Sequence, residues 1–418
     1  MNKYKLIDKC RISDSKKLVN VLKLSNHPLA NSLKINKKEL EEKFPLSISF
    51  CEESSLLQLN ETVNKEILFD HYVWVTGTSQ AAQNYANTFT DRLIAFAVPE
   101  QDDLVIEIAS NDGTFLKPFL SKGFSNVLGI DPAKNIAEIA NQNCINTLPE
   151  FWGSSLANQI VADKGQAKVV FARNVIPHVS ELLDVINGIK IVLKEDGVGI
   201  IEFHDVGKIL KELQYDSIYH EHLCYFSIQS MTYLLNRFSL NPFHIEKSPI
   251  SGGSWVIYFS KAKRQKTPDL QEAVIEENKN QVNKLSSWKD FAKRTITHRK
   301  ETLDILESMN GKTIVGFGSS ARSQTYLNYC GINSEQINAI IDNNSLKQGM
   351  YAPGSSIPIV DFEQGMAMSP DIIFILAWNF RDEIVKQCKM YGYTGDFLVP
   401  FPNEPYFHNG KLNSLNNK

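Results

Sequence analysis

Leu104-Val105-Ile106-Glu107-Ile108-Ala109-Ser110-Asn111-Asp112-Gly113-Thr114 is the stretch on which the fold of this 418-residue chain turns. Its first five residues are an apolar, largely β-branched run, the pattern of a buried strand. The small polar residues after Ile108 form a turn into a helix that should begin near Phe115. Val127-Leu128-Gly129-Ile130-Asp131 then reads as a second strand, and its terminal carboxylate lies 24 residues after Glu107. In an open doubly wound sheet, ligands bind beyond the carboxyl ends of the strands. An acid closing the second strand can accept both hydroxyls of a ribose.

Working outward, Val169-Val170-Phe171-Ala172-Arg173-Asn174-Val175-Ile176-Pro177-His178 gives another strand whose end carries Asn174 and His178 toward the same edge. Val198-Gly199-Ile200-Ile201-Glu202-Phe203 follows it as a further strand, after a Glu195-Asp196-Gly197 turn. Residues 262–310 place Val282, Leu285, Phe291, Ala292, Ile296, Leu303 and Leu306 at helical spacings, which predicts amphipathic helices packed between domains. Lys312-Thr313-Ile314-Val315-Gly316-Phe317-Gly318-Ser319-Ser320-Ala321-Arg322 repeats the strand, turn and helix start. Its second strand ends in Asp342, 24 residues after Gly318. Arg322 in that turn suits a phosphate at a helix N-terminus, and pairing with a carboxylate of the chain itself is the alternative.

Dinucleotide oxidoreductases share this outline, so the turn after the first strand must choose the cofactor. It lacks the three-glycine spacing of a pyrophosphate cradle and carries Glu107, Ala109, Asn111 and Gly113. That pattern resembles methyltransferase motif I. An acidic turn repels a pyrophosphate and suits the sulfonium and amino groups of S-adenosyl-L-methionine.

Asp216-Ser217-Ile218-Tyr219-His220-Glu221-His222-Leu223-Cys224-Tyr225-Phe226-Ser227 falls beyond the carboxyl edge of the same sheet. It concentrates imidazole, phenol and carboxyl groups. Such groups can be tuned toward neutral pH for proton transfer. A self-satisfied polar loop and a His-x-His metal pair are the other readings of the segment taken alone.

The length exceeds a single hydrophobic core, so two or three domains are expected. Apolar residues make up 43% and the net charge is -3, which leaves no electrostatic footprint for nucleic acid. Met1-Asn2-Lys3-Tyr4-Lys5 opens without an apolar leader region. No run approaches the roughly 20 apolar residues of a membrane helix. A cytoplasmic protein with no membrane partner is therefore expected, and six scattered cysteines predict reduced thiols. Cys10-Arg11-Ile12-Ser13 and Cys51-Glu52-Glu53-Ser54 look like two Cys-x2-Cys knuckles in which serine replaces the second cysteine. A neutral hydroxyl is a poor substitute for thiolate, so zinc is in doubt and Cys10 and Cys51 are expected to be remnants of a metal site.

Pro28-Leu29-Ala30-Asn31, the aromatic stretch Leu68–Ser79 with Tyr72 and Trp74, the Asp216–His222 signature and Ser251-Gly252-Gly253-Ser254 together resemble the sugar C-methyltransferases of deoxysugar biosynthesis. The match runs from Cys10 to about Phe401. It implies an α/β protein with a small zinc-ribbon-like N-terminal module (1–75), a Rossmann-like methyltransferase domain that binds S-adenosylmethionine (76–260), a helical connector (261–310) and a second Rossmann-like domain that contacts a nucleotide-sugar (311–418). It further implies C-methylation next to the ketone of a nucleotide-linked 4-keto-6-deoxy sugar. His222 is then the base, oriented or charged by Glu221, with Tyr219, Tyr72 and His178 polarising the keto oxygen or holding the ring. The cofactor would lie against Glu107, Ala109, Asn111, Gly113, Asp131 and Asn174, and the sugar nucleotide against Gly318, Ser320 and Arg322. A nicotinamide-dependent oxidoreductase and a non-catalytic nucleotide-sugar-binding protein are the alternatives.

Overall fold

Val105–Ile108 and Val127–Ile130 pair in parallel with Glu107 opposite Gly129. The computed structural model describes residues 3–64, 67–68, 75–249 and 253–408. The two strands lie in a seven-stranded sheet ordered Asn241–Lys247, Ser254–Ser260, Leu193–His204, Ala167–Arg173, Val105–Ile108, Val127–Ile130, Thr147–Leu148. Ser254–Ser260 runs antiparallel to both of its neighbours. The strand from Leu193 starts earlier than expected, and the Glu195-Asp196-Gly197 turn becomes an irregularity in its register between Leu193 and Val198. Strand order reverses between Val105–Ile108 and Ala167–Arg173, which places the ligand crevice of a doubly wound sheet at their carboxyl ends.

Helix Gln80–Ala97 covers one face of this sheet. Ser79 caps it by accepting the Ala82 N–H, and Tyr85, Phe89 and Leu93 recur every fourth residue on its buried side. They pack on Val105, Phe171, Ile200, Val256 and Tyr258. Phe89 is fully buried there, so truncation to alanine should cost about 3–5 kcal/mol.

The N-terminal sheet has the order Cys224–Tyr225, Leu57–Leu59, Phe44–Cys51, Leu18–His27. Its edge strand is thus supplied by the Tyr-His-Glu-His segment, with Cys224 opposite Gln58. A third sheet is ordered Ile359–Val360, Ala339–Ile341, Ile314–Phe317, Ile372–Ile375, Asp396–Val399, Tyr406–His408, parallel except for the last strand. Its own reversal of order falls between Ile314–Phe317 and Ile372–Ile375. The protein therefore contains two Rossmann-like units.

Helices Pro268–Lys279 and Leu285–Ser308 join those units. The longer one buries Trp288, Phe291, Thr295, His298, Thr302 and Leu306, a single stripe three or four residues apart. Ile296, expected on the packed face, is 62% exposed. Counting only apolar residues misplaces the stripe, because three of its members are polar and satisfied internally. Thr295 donates to the Phe291 carbonyl, His298 bonds the Tyr215 hydroxyl and the Pro400 carbonyl, and Thr302 bonds the Tyr326 hydroxyl. Among the described residues, no helix is long and apolar enough to cross a membrane.

Candidate active site

The crevice of the central sheet begins with a turn in which Ala109, Asn111 and Gly113 all have positive φ, at 54°, 51° and 78°. A left-handed alanine costs roughly 1–2 kcal/mol. Gly113 has no room for a side chain, because a Cβ would come within 2.6 Å of Ile145. Asp131 holds the turn closed by accepting the Asn111 N–H at 2.8 Å and the Ala133 N–H at 2.9 Å. Burial raises its carboxyl pKa, and those two backbone bonds oppose the rise.

Glu107 is buried at the base of this turn, and burial holds its carboxyl well above the usual range. Arg173 pulls it back, while Asp112, Asp131 and Glu202 push it further up. Among the described residues, Glu107 Oε2 and Ser110 Oγ are buried without a hydrogen-bond partner. Unsatisfied buried acceptors are costly and call for a partner. Carboxyls outnumber the one guanidinium around the turn, so a ligand bringing a cationic sulfonium and an ammonium relieves both deficits. The chemistry of this turn fits S-adenosylmethionine. Asn174, with φ 51°, leaves the neighbouring strand on the far side of the crevice, its N–H bonded to the Glu202 carbonyl.

From Asn174 the chain enters a short 3-10 turn, Ile176–His178. His178 Nδ1 lies 2.8 Å from the Glu221 carbonyl, and its ring meets that of His222 edge-on with centroids 4.8 Å apart. The cofactor crevice and the Tyr-His-Glu-His segment are thereby joined through one four-residue link. His222 Nδ1 donates to the Ser217 carbonyl at 2.9 Å, which leaves Nε2 with its lone pair. The Tyr219 hydroxyl donates to that lone pair at 2.7 Å. Burial lowers the His222 pKa well below the usual range, and His178 and His204 lower it further. His178 is lowered as well, chiefly by burial. Both rings are therefore neutral at pH 7, and His222 has a defined tautomer.

Glu221 does not orient His222. Its carboxylate accepts from Asn31 Nδ2 at 2.6 Å, which ties the signature to the Pro-Leu-Ala-Asn run of the N-terminal module. Burial raises its pKa, and the Asn31 bond opposes this. The orienting role expected of Glu221 belongs instead to the Ser217 carbonyl. His220 points away from His222, with Nε2 on the Pro45 carbonyl and its ring against Phe44, so the two do not form a His-x-His metal pair. Tyr72, with Trp74, lies outside the described residues.

In the second crevice, Ser320 caps helix Ala321–Cys330 through a reciprocal pair of bonds with Ser323. Gly318 has φ 96° and packs against Ala377, where a Cβ would come within 2.2 Å. Arg322 meets Asp216 through Nε at 3.0 Å and Nη2 at 2.9 Å, and Gln214 through Nη2 at 3.2 Å. Three polar side chains of the region were missed in the sequence. Arg173 and Glu202 form a buried pair at 2.8 Å on adjacent strands, with the guanidinium 3.3 Å from the centre of the Phe115 ring. Their signal was available, since each interrupts an apolar strand and a buried charge needs a partner. His204 closes the strand after Glu202, and burial, then Arg322 and Lys208, lower its pKa to about 3.

Cys10, Ser13, Cys51 and Ser54 do converge in the N-terminal module. Cys10 Sγ lies 3.1 Å from Ser54 Oγ, and Cys51 Sγ lies 3.6 Å from Ser13 Oγ. A hydrogen bond with Cys51 and burial hold the Cys10 thiol well above its usual pKa. Two thiols and two hydroxyls do not fit structural zinc, which takes thiolate or imidazole at all four positions. Among the described residues, no group of three or more His, Cys, Asp or Glu could hold a metal.

Three family models match consecutive parts of the chain: a zinc binding domain over residues 10–69, a methyltransferase domain over 81–245 and a C-methyltransferase C-terminal domain over 249–402. C-methyltransferase NovU of Streptomyces niveus is 30% identical over 403 residues, covering 95% of this chain and 96% of that protein. A solved S-adenosylmethionine-dependent methyltransferase from Clostridium acetobutylicum covers 43% of this chain and 92% of its own at 12% identity, with a TM-score of 0.36. Magnesium protoporphyrin IX methyltransferase from Synechocystis covers 47% and 89% at 14% identity, with a TM-score of 0.34.

Proposed function

Because the chain belongs to the S-adenosylmethionine-dependent C-methyltransferase family, we propose that its acceptor is a nucleotide-linked 4-keto-6-deoxy sugar, methylated at the carbon α to the ketone. Membership sets aside the nicotinamide-dependent and the non-catalytic alternatives. The observation that carries the proposal is the Tyr219–His222 pair, a neutral imidazole of fixed tautomer beside the cofactor crevice. C-methylation makes a carbon–carbon bond, and a carbon next to a ketone becomes nucleophilic only after losing its proton.

His222 Nε2 accepts that proton as the C–H bond breaks. The electron pair moves into the new C=C bond, and the negative charge settles on the keto oxygen. The Tyr219 hydroxyl leaves the Nε2 lone pair free by turning to the keto oxygen, to which it donates as the charge develops. His178, whose Nδ1 is held by the Glu221 carbonyl, fixes the far side of the His222 ring. Bound S-adenosylmethionine supplies an electrophilic methyl group. Glu107, Asp131 and Asn174 hold the cofactor, and the closed turn orients it.

Incubation with a panel of 4-keto-6-deoxy sugar nucleotides and S-adenosylmethionine should give products 14 mass units heavier, detected by mass spectrometry. Methyl transfer to none of them, by protein that binds the cofactor, would refute the acceptor assignment.

A further inference from the structure

The second sheet reverses its strand order between Ile314–Phe317 and Ile372–Ile375, so its ligand crevice lies where the turns after those strands meet. The group at that point is a carboxylate of the chain itself. Asp216, in the 3-10 turn Tyr215–Ser217, reaches across from the first unit and is 1% exposed. Oδ2 accepts from Arg322 Nε at 3.0 Å and from Trp378 Nε1 at 2.9 Å. Oδ1 accepts from Arg322 Nη2 at 2.9 Å. The guanidinium also lies 4.9 Å from the Trp378 ring centre. Arg322 comes from the helix after the first strand and Trp378 from the turn after the second, so both walls of the crevice grip one anion.

Asp216 immediately precedes Ser217, whose carbonyl accepts the His222 Nδ1 proton at 2.9 Å. Asp216 and Ser217 share one 3-10 turn, so a clamp on Asp216 restrains the residue whose carbonyl decides which His222 nitrogen keeps its lone pair. We infer that Arg322 and Trp378 are positioning residues: the crevice of the C-terminal sheet holds Asp216 in place of a ligand anion, and so locks the Ser217 carbonyl against His222. The inference rests on His222 being the proton acceptor. It differs from a phosphate role for Arg322 in what it predicts, because a positioning group alters turnover and a ligand for the sugar nucleotide alters its binding.

The test uses the full-length protein with Arg322→Lys, Asp216→Asn, Trp378→Phe and the double variant Arg322→Lys/Asp216→Asn. The first three keep the charge, shape or ring of the residue replaced, and Trp378→Phe remains informative where a change at the ion pair prevents folding. Two readouts are taken. With a keto sugar nucleotide and saturating S-adenosylmethionine, the ion-pair variants should lose about 10²-fold in kcat, the order expected for misplacing a reacting group by an ångström. The KM for the sugar nucleotide should stay within about threefold, and the double variant should be no worse than the poorer single one. In the free protein labelled with 15N-histidine, wild-type His222, assigned by its loss in His222→Asn, should show one Nδ1-protonated tautomer. Each variant should show exchange between tautomers.

A raised KM with kcat intact in Arg322→Lys would overturn the inference, as would an unchanged His222 nitrogen spectrum in folded variants. The spectrum needs no acceptor. Should wild-type protein methylate no keto sugar nucleotide, the acceptor assignment fails and the nitrogen spectra still decide the clamp.

Discussion

Replacing Tyr219 by phenylalanine and His222 by asparagine separates two ways in which their 2.7 Å contact can move a proton. In the direct route His222 Nε2 takes the proton from carbon, and the Tyr219 hydroxyl serves only as a hydrogen-bond donor. Its loss then removes one donor to a charged oxygen, about 1.5–3 kcal/mol, a roughly 13- to 160-fold fall in kcat. In a relay the phenol oxygen takes the carbon proton while passing its own to Nε2, and Tyr219→Phe should then cost at least as much as His222→Asn. The direct route is expected, because the Ser217 carbonyl holds the Nδ1 proton and so keeps the basic lone pair on Nε2, where it can take the carbon proton once the Tyr219 hydroxyl turns to the keto oxygen. His222→Asn should lose about 10²–10⁴-fold, since an amide cannot act as a comparable base. Deuterium wash-in at the α carbon, measured by mass spectrometry beside methyl transfer, reports the proton step itself. The pH profile adds a third reading. The His222 pKa lies well below the usual value near 6.5, so the imidazole remains deprotonated at pH 6 and kcat/KM should be level from pH 7.5 to 6, falling only at more acidic pH. His222→Asn protein that folds, binds S-adenosylmethionine and turns over within tenfold of wild type (about 1.4 kcal/mol) would refute the reasoning.

Asp131→Asn leaves one oxygen for two backbone N–H groups and removes the charge toward the ribose. The Kd for S-adenosylmethionine should rise about 10- to 150-fold, equivalent to 1.5–3 kcal/mol. Titration calorimetry checks this, and an unchanged Kd in folded protein would withdraw the assignment. Elemental analysis of protein purified without chelator should find less than one zinc per ten chains, and Cys10→Ser should leave that ratio unaltered. One zinc per chain, lost in Cys10→Ser, would mean that another side chain completes the site. His27, with Nε2 on the Leu24 carbonyl, has its pKa lowered by burial to about 4. A histidine lowered on folding contributes stability that is present above its unfolded value and lost as the pH falls. Between pH 7 and pH 5 wild type should therefore lose about 2 kcal/mol that His27→Gln does not. Urea unfolding at both pH values measures the gap between the two proteins, which should narrow on acidification; a constant gap counts against the assignment.

The sequence by itself determined the strands that open the two Rossmann-like units, because a buried parallel strand needs a mainly apolar run, and the runs from Leu104 and Ile314 are short and bounded by turn residues. It also determined the acid-lined turn, since Glu107, Asn111, Gly113 and Asp131 lie within 25 residues and their contacts are local. The convergence of Cys10, Ser13, Cys51 and Ser54 was readable for the same reason, two short motifs on a small module. What only the tertiary structure decided depends on partners far apart in the chain. Glu221 sits beside His222 in sequence, yet its carboxylate turns to Asn31, 190 residues away. Arg322 reads as a phosphate ligand in its own turn, and the partner that claims it, 106 residues earlier, is Asp216. Local pattern reports which groups a segment must bury. It carries no record of which distant carboxylate or amide arrives to satisfy them, and burial makes an unsatisfied charge too costly to leave the choice open.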